Sequence, residues 1–214
     1  MITLHGIFGS PFVRAIRIAL MEKELDWNWA PFKLGEQSQE PYASLHPFGK
    51  IPALTDDGFE LYETQAMLRY IDRAAAAHPL APIDHKAAAR MDQLLGIVDC
   101  YLWPNVSRPI GFNRIIAPRI GVAPDEQAVV NALPFAKMTI GAIARLMPQR
   151  GYMVGDNLTL ADIAHIPHLD WLQQIPEVAV MFDDHPVLMK WLGNMRERKS
   201  VQDSARAPEK LLAA

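Results

Sequence analysis

The chain has 214 residues, 21 of them Lys or Arg and 24 Asp or Glu, for a formal charge of −3, with half its residues hydrophobic and 21% charged. A chain of this size buries about seven tenths of its unfolded surface, and this composition is that of an ordinary globular protein, which excludes disorder as the main state. Residues 1–76 hold 7 basic and 10 acidic side chains and residues 77–214 hold 14 of each, so there is neither a dense positive face for nucleic acid nor a polybasic run for an anionic membrane surface.

The first residues, MITLHGIFGSPFVR, lack the charged stretch and apolar run of a secretory signal. Ile2 and Leu4 flank Thr3 in a short strand pattern, Gly9-Ser10-Pro11 breaks it, and Val13, Ile16 and Leu20 recur at helical spacing to about Lys23. Trp27 and Trp29 alternate in a second strand. After a polar loop with Gly35, Pro41, Pro47 and Gly49, residues 53–55 and 59–62 read as two strands joined by Asp56-Asp57-Gly58, because Asp-Gly accepts the positive φ of a tight hairpin turn. Residues 64–77 then form an amphipathic helix with Ala66, Met67, Tyr70 and Ile71 expected inward. The order is β-α-β, a loop, then β-β-α.

His78-Pro79-Leu80-Ala81-Pro82 marks a boundary, since two prolines end the helix and stiffen a linker. The expected division is an α/β domain over 1–77, a linker over 78–85, an all-helical domain over 86–205 and a tail over 206–214. The helical candidates lie at about 84–103, 124–147, 159–175 and 186–198. Tyr101–Pro124 between the first two is aromatic and holds Arg108, Arg114 and Arg119, and reads either as a connecting loop or as pocket lining. Cys100 is the single cysteine, so an internal disulfide is impossible, a zinc cluster is not expected, and a buried inert thiol is the default. Leu133–Met147 is interrupted by Lys137 and Arg145, so no bilayer span is expected. Thr159 and Asp162 have the spacing of a capping box, with Leu158 and Ile163 placed as a hydrophobic staple. That turn is expected to be structural and a folding nucleus for the helical domain. His165 and His168 share a helical face, but two ligands around Pro167 make no metal site.

Three places carry candidate chemistry. Ser10-Pro11 suits a helix start structurally, and the same helix terminus also stabilises an anion, to which a serine hydroxyl can add a hydrogen bond. At Ile51-Pro52, proline permits a cis peptide that turns the Ile51 backbone toward a ligand; the sequence leaves both isomers open. Glu63-Thr64 stands at another strand-to-helix junction, where Thr64 reads as a cap and both side chains also suit the amino and carboxylate groups of a ligand.

The run Pro47-Phe48-Gly49-Lys50-Ile51-Pro52-Ala53-Leu54 resembles the PFGxxPAL segment of cytosolic glutathione S-transferases. Leu61-Tyr62-Glu63-Thr64-Gln65-Ala66 is similar to their LxESxA segment, and Asn157-Leu158-Thr159-Leu160-Ala161-Asp162-Ile163 to their second-domain capping motif. The resemblance spans about residues 1–200, and Gly35-Glu36 with the PFG segment points to the bacterial and plant-like (phi/theta) classes with serine at the first helix. It implies the glutathione S-transferase fold: an α/β thioredoxin-like N-terminal domain that binds glutathione, and an all-α C-terminal helical domain that completes an apolar co-substrate site.

Residue by residue, the resemblance implies that Ser10 contacts the glutathione sulfur and Ile51 pairs its backbone with the cysteinyl part through a cis Pro52. Glu63 and Thr64 would hold the γ-glutamyl end, and Lys50 and Gln37 the glycyl carboxylate. The co-substrate candidates are Ile7, Phe12, Trp103, Ile110 and Phe112, and Arg108 and Arg114 at that pocket would favour an acidic co-substrate. Phe48 resembles a residue that plugs the partner subunit in a homodimer. The implied activity is a glutathione transferase acting on a small electrophile, with glutathione as co-substrate, no metal, no nucleic acid, no membrane and a cytoplasmic location. The alternatives are a non-catalytic interaction protein of the same fold, or a specialised glutathione-dependent dehalogenase or isomerase. Two departures from the plant-like pattern stand out: Gln37-Ser38 in place of His-Lys, and Thr64 in place of serine, which keeps the hydroxyl on a stiffer β-branched side chain.

Overall fold

The computed structural model describes residues 1–206 and divides into two units, the first made of residues 1–81 with the segment from Glu197 onward, the second of Pro82–Arg196. The first unit opens with β1 (Ile2–Gly6), α1 (Pro11–Glu22) and β2 (Trp27–Pro31). A short α2 (Tyr42–Leu45) precedes β3 (Ala53–Asp56), β4 (Phe59–Tyr62) and α3 (Thr64–Ala74). The sheet order is β2-β1-β3-β4, with β1 parallel to β2 and antiparallel to β3, and β3 antiparallel to β4. This is the mixed four-stranded sheet of a thioredoxin-like unit. The β3–β4 turn has Asp57 at φ 47° and Gly58 at φ 88°, the paired positive angles that an Asp-Gly hairpin provides.

Alternation puts Leu4 and Leu54 opposite one another in the core, under Ile16, Leu20, Met67 and Ile71 from the two long helices. On α3 the buried stripe is Thr64, Met67, Leu68 and Ile71; Ala66, expected inward, is exposed, and Tyr70 is half-buried with its hydroxyl donating to Asp56.

The sequence assigned residues up to 205 to the helical domain. Instead α9 (Lys199–Ser204) packs on α1 in the first unit. Arg17, 3% exposed, donates to the carbonyls of Ser204 (2.9 Å), Arg206 (3.1 Å) and Asp203 (3.3 Å), closing the C-terminal end of α9 where a cation is favoured. Arg14 donates to Val201 and Ser204, and Glu22 accepts two bonds from Arg198 and one from Ser200. These partners lie more than 170 residues from α1 in sequence, beyond the reach of local pattern. Of the expected tail, residues 207–214 lie outside the described residues.

In the second unit α4 (His85–Ile97) continues as a π-helix over Val98–Ile116, followed by a 3-10 turn, Ala117–Ile120, that Gly121 ends at φ 71°. The helix does not stop near 103, and Tyr101–Ile120 is helical instead of a loop. Pro104 and Pro109 sit inside the π segment, where bonds run to the fifth preceding carbonyl, as from Ala117 to Phe112. The wider turn accommodates rings that would strike the fourth carbonyl of an α-helix.

Next come α5 (Glu126–Leu146), α6 (Leu160–Leu172), α7 (Pro176–Ala179) and α8 (Pro186–Arg196). By length and composition α5 is long and apolar enough to cross a membrane. Its Val129, Ala132, Ala136, Ile140 and Ile143 are buried within the second unit, as on a core helix. Cys100, within the π segment, is exposed and is not the buried thiol expected.

Candidate functional site

The strand register brings the candidate residues of the first unit to one end of its sheet. His5 of β1 faces Ala53 of β3, and Ala53 faces Tyr62 of β4. Ser10 follows β1, Ile51-Pro52 precedes β3, Glu63-Thr64 follows β4, and parallel β2 hands over to the Gln37 loop at the same end. Residues distant in sequence therefore share one rim.

Ser10 is the N-cap of α1, with Pro11 the first helical residue. The Ser10 Oγ accepts from the Val13 N–H at 3.4 Å, a long bond. A hydroxyl that only accepts still has its proton to donate. Ser10 is half-buried, so that donor sits beside the positive end of α1 and within reach of a ligand.

Across the rim the start of α3 is built differently. The cap is Glu63, not Thr64: Glu63 has φ 72° and ψ 112°, and its side chain makes no capping hydrogen bond. Thr64 is the first helical residue and is buried at 9% exposure. A glutamate at positive φ is uncommon, and such strain persists where the surroundings impose it, often at binding sites. The exposed Glu63 carboxylate, as acceptor, stands at the positive N-terminal end of α3, and that combination matches a ligand carrying both an amino and a carboxylate group.

Between these two, Ile51–Pro52 is cis, and so is Glu40–Pro41, which the sequence did not single out. Pro52 is buried, Ile51 half-buried and Lys50 exposed, with the Lys50 carbonyl accepting from the Tyr42 hydroxyl at 2.7 Å. Gly49, at φ 58°, allows the Gln37–Ser38 turn to lie against this segment: a Cβ there would stand 3.2 Å from the Ser38 Oγ. The Gln37 carbonyl thereby lies beside Gly49, the residue before Lys50. Gln37 Oε1 accepts from the Gly35 N–H at 2.7 Å, which leaves its amide nitrogen to donate outward.

The co-substrate candidates are spread over both units. In the first, Ile7 and Phe12 are half-buried on either side of Ser10. In the second, Ile110 is sealed in the interior, Phe112 is 39% exposed, and Trp103 is half-buried with its ring 5.9 Å from that of His168. Arg114 is committed to two carboxylates, donating to Glu177 at 2.8 Å and to both oxygens of Glu126; Arg108 and Arg119 are exposed. Phe48, at 67% exposure, projects from the loop before Pro52.

In the second unit the Thr159–Asp162 turn is closed. Asp162, fully buried, accepts from the Thr159 N–H and hydroxyl at 2.9 and 2.8 Å and from Met153 N–H and Trp191 Nε1 at 2.7 Å each. Burial pushes its carboxyl above the ordinary value, and the four donors pull the other way. His165 and His168 are buried, their Nδ1 atoms paired with the Ala161 carbonyl and the Ser107 hydroxyl. None of these groups is open to a ligand.

The N-terminal domain of glutathione S-transferases matches residues 4–79 and their C-terminal domain matches residues 91–199. A glutathione S-transferase of Hyoscyamus muticus is 29% identical over 204 residues, covering 91% of this chain and 93% of its own. Glutathione S-transferase 3 of Zea mays is 32% identical over 165 residues, covering 76% of this chain and 74% of its own. The crystal structure of glutathione transferase F7 from Populus trichocarpa superposes with a TM-score of 0.85 at 25% identity, covering 97% of this chain and all of that one.

Proposed function

This chain belongs to the glutathione S-transferase family, and on that premise we propose that it is a serine-type transferase in which Ser10 holds the glutathione sulfur as a thiolate for attack on an electrophilic, apolar co-substrate. The observation that carries the reading is the convergence of Ser10, the Ile51–Pro52 segment and the Glu63–Thr64 start of α3 at one end of a single sheet. Glutathione is a tripeptide with a carboxylate at each end, an amine at one and a thiol between, and the rim offers a partner for each. The Glu63 carboxylate accepts from the γ-glutamyl amine, while Thr64 and the first N–H groups of α3 donate to the neighbouring carboxylate. The Ile51 backbone pairs with the cysteinyl residue, and the Gln37 amide and Lys50 ammonium meet the glycyl carboxylate.

The energetics suffice without a general base. A thiol of pKa about 8.5 is only about 3% ionised at pH 7, and lowering that by about two units needs about 2.7 kcal/mol. A helix terminus supplies about 0.3–2 kcal/mol and a hydrogen bond to a charged group about 1.5–3 kcal/mol, so α1 and the Ser10 hydroxyl together reach the requirement. The thiolate lone pair then forms a carbon–sulfur bond, and the leaving group departs with its electrons. Ser10 acts throughout as a donor and forms no covalent intermediate.

Ile7 and Phe12 flank that sulfur position and offer the apolar contact for the co-substrate. A homodimer with Phe48 at its interface and a cytoplasmic setting complete the proposal; both accord with the family. An interaction protein that kept the fold would be expected to have lost the hydroxyl at position 10 or the acid at 63, and this chain has both. Calorimetric titration with glutathione, paired with conjugation of an aromatic halide, tests the reading. Wild type and Ser10→Ala should both bind, with kcat/KM of the variant lower by roughly 10- to 150-fold. Absence of binding at millimolar glutathione, or full turnover by Ser10→Ala, would overturn it.

A further inference from the structure

His46 enters the sequence only as the residue before Pro47, yet it ties together the two halves of the rim. It is 3% exposed. Its N–H donates to the Tyr42 carbonyl at 3.1 Å and its carbonyl accepts from the Gly49 N–H at 2.9 Å, so its backbone starts the turn that delivers Lys50. Its ring lies 4.8 Å from that of Tyr62 and stacks on Tyr42 at 6.4 Å with 28° between planes, and Phe48 meets it edge-on at 6.3 Å. Tyr42 is the residue whose hydroxyl holds the Lys50 carbonyl, and Tyr62 is the residue before Glu63. One imidazole thus bridges the segment bearing Lys50, Ile51 and Pro52 and the segment bearing Glu63 and Thr64.

We propose that His46 is a positioning residue for the glutathione site, its ring splinting Lys50–Pro52 against Tyr62–Glu63 so that the two ends of one tripeptide are met at a fixed separation. The inference rests on the glutathione-binding reading above. The ring Nδ1 is buried without a hydrogen-bond partner, so contacts with the rings of Tyr42, Phe48 and Tyr62 hold the imidazole in place. The titratable groups that face the ring are Tyr42 on α2, Tyr62 on β4, Glu63 after it, and Lys50 in the loop. Burial lowers the His46 pKa, the Glu63 carboxylate raises it and the Lys50 ammonium lowers it. The ring is therefore neutral at pH 7. Protonated in acid, it becomes a cation whose counter-charge is Glu63, and it competes with the γ-glutamyl amine for that carboxylate. Glutathione binding weakens while the sulfur chemistry at Ser10 is untouched.

The test uses the full-length protein, with His46→Phe keeping the stack without the titration and His46→Ala removing both. His46→Ala should raise KM for glutathione roughly tenfold with kcat within about twofold of wild type, as expected when binding groups shift and the reacting centre does not. His46→Phe should stay near wild type at neutral pH and lose the additional rise in KM that wild type shows on acidification. Without any glutathione, an NMR titration of the His46 ring should show its pKa falling further in Glu63→Gln. A wild-type KM in His46→Ala, an unchanged acid response in His46→Phe, or a His46 titration indifferent to Glu63→Gln would each overturn the proposal. Failure of wild type itself to bind glutathione would instead overturn the enzymatic reading, and the NMR titration would still decide whether His46 and Glu63 are coupled.

Discussion

Two helix starts in this protein, those of α6 and α3, are alike in sequence and opposite in construction. Each pairs a threonine with an acid at the head of a helix, amphipathic in α3 and buried on nearly all sides in α6. At α6, Asp162 is fully buried and takes four hydrogen bonds, one of them from Trp191, so every group at the turn is spent on the fold. At α3, Glu63 is exposed at φ 72° and its side chain makes no capping bond. Buried acids with satisfied partners hold a fold together. A strained, exposed acid at a helix start keeps its bonding capacity for something else. The difference lies in what the neighbouring chain supplies, which is why the two motifs look interchangeable when read along the sequence.

The contrast can be broken at either end. Asp162→Ala has the largest expected effect: it strands four donors in the interior and should lower unfolding free energy by about 3–5 kcal/mol, read by urea denaturation. A loss below about 1 kcal/mol would mean that the closed turn is not structural. The same helix also makes the second unit sensitive to acid. His165 and His168 are held down to about 4 and about 3 by burial, against about 6.5 in an unfolded chain. Below pH 6.5 the unfolded state takes up protons that the folded state refuses, so this contribution to stability is complete above pH 6.5 and is lost as pH falls. Each histidine adds a slope of up to about 1.4 kcal/mol per pH unit, that of His165 levelling off near pH 4. Denaturation midpoints independent of pH between about 6.5 and 4.5 would contradict this.

At the open end the sign reverses. Glu63→Gly should stabilise the protein by about 1 kcal/mol by releasing the positive φ, while lowering glutathione affinity about tenfold or more through loss of the carboxylate. A variant that loses both stability and affinity would show that Glu63 is structural after all. The smallest effect is expected at Arg114. Its carboxylate partners are largely solvent-facing, so Arg114→Ala should change stability by at most about 1 kcal/mol. Preference for acidic over neutral co-substrates should be unchanged, because the guanidinium is already committed.

Much of this architecture was legible from local chemistry. Asp57-Gly58 specified its hairpin, Ser10-Pro11 its helix start, and Thr159 with Asp162 its buried box, since each depends on residues within a few positions. What escaped the sequence depends on distant partners or on overridden propensities. Threonine is a good cap, so Thr64 read as one, but the end of β4 places Glu63 there and buries Thr64. Pro104 and Pro109 ordinarily end a helix, and only the π-helical winding lets them remain inside. Arg17 and Glu22 carry no local signal of their role on α1, because α9 supplies their partners. His46 had no local signal at all; its role depends on Tyr42, Tyr62 and Glu63 meeting around it.

The most direct test of the account is the ionisation of bound glutathione, followed by the ultraviolet absorbance of its thiolate as pH is raised, in wild type and in Ser10→Ala. An open helix start with a free serine donor predicts a midpoint near about 6.5 in wild type, returning most of the way toward the free-thiol value of about 8.5 in the variant. A wild-type midpoint equal to that of free glutathione, or one that Ser10→Ala leaves in place, would contradict it.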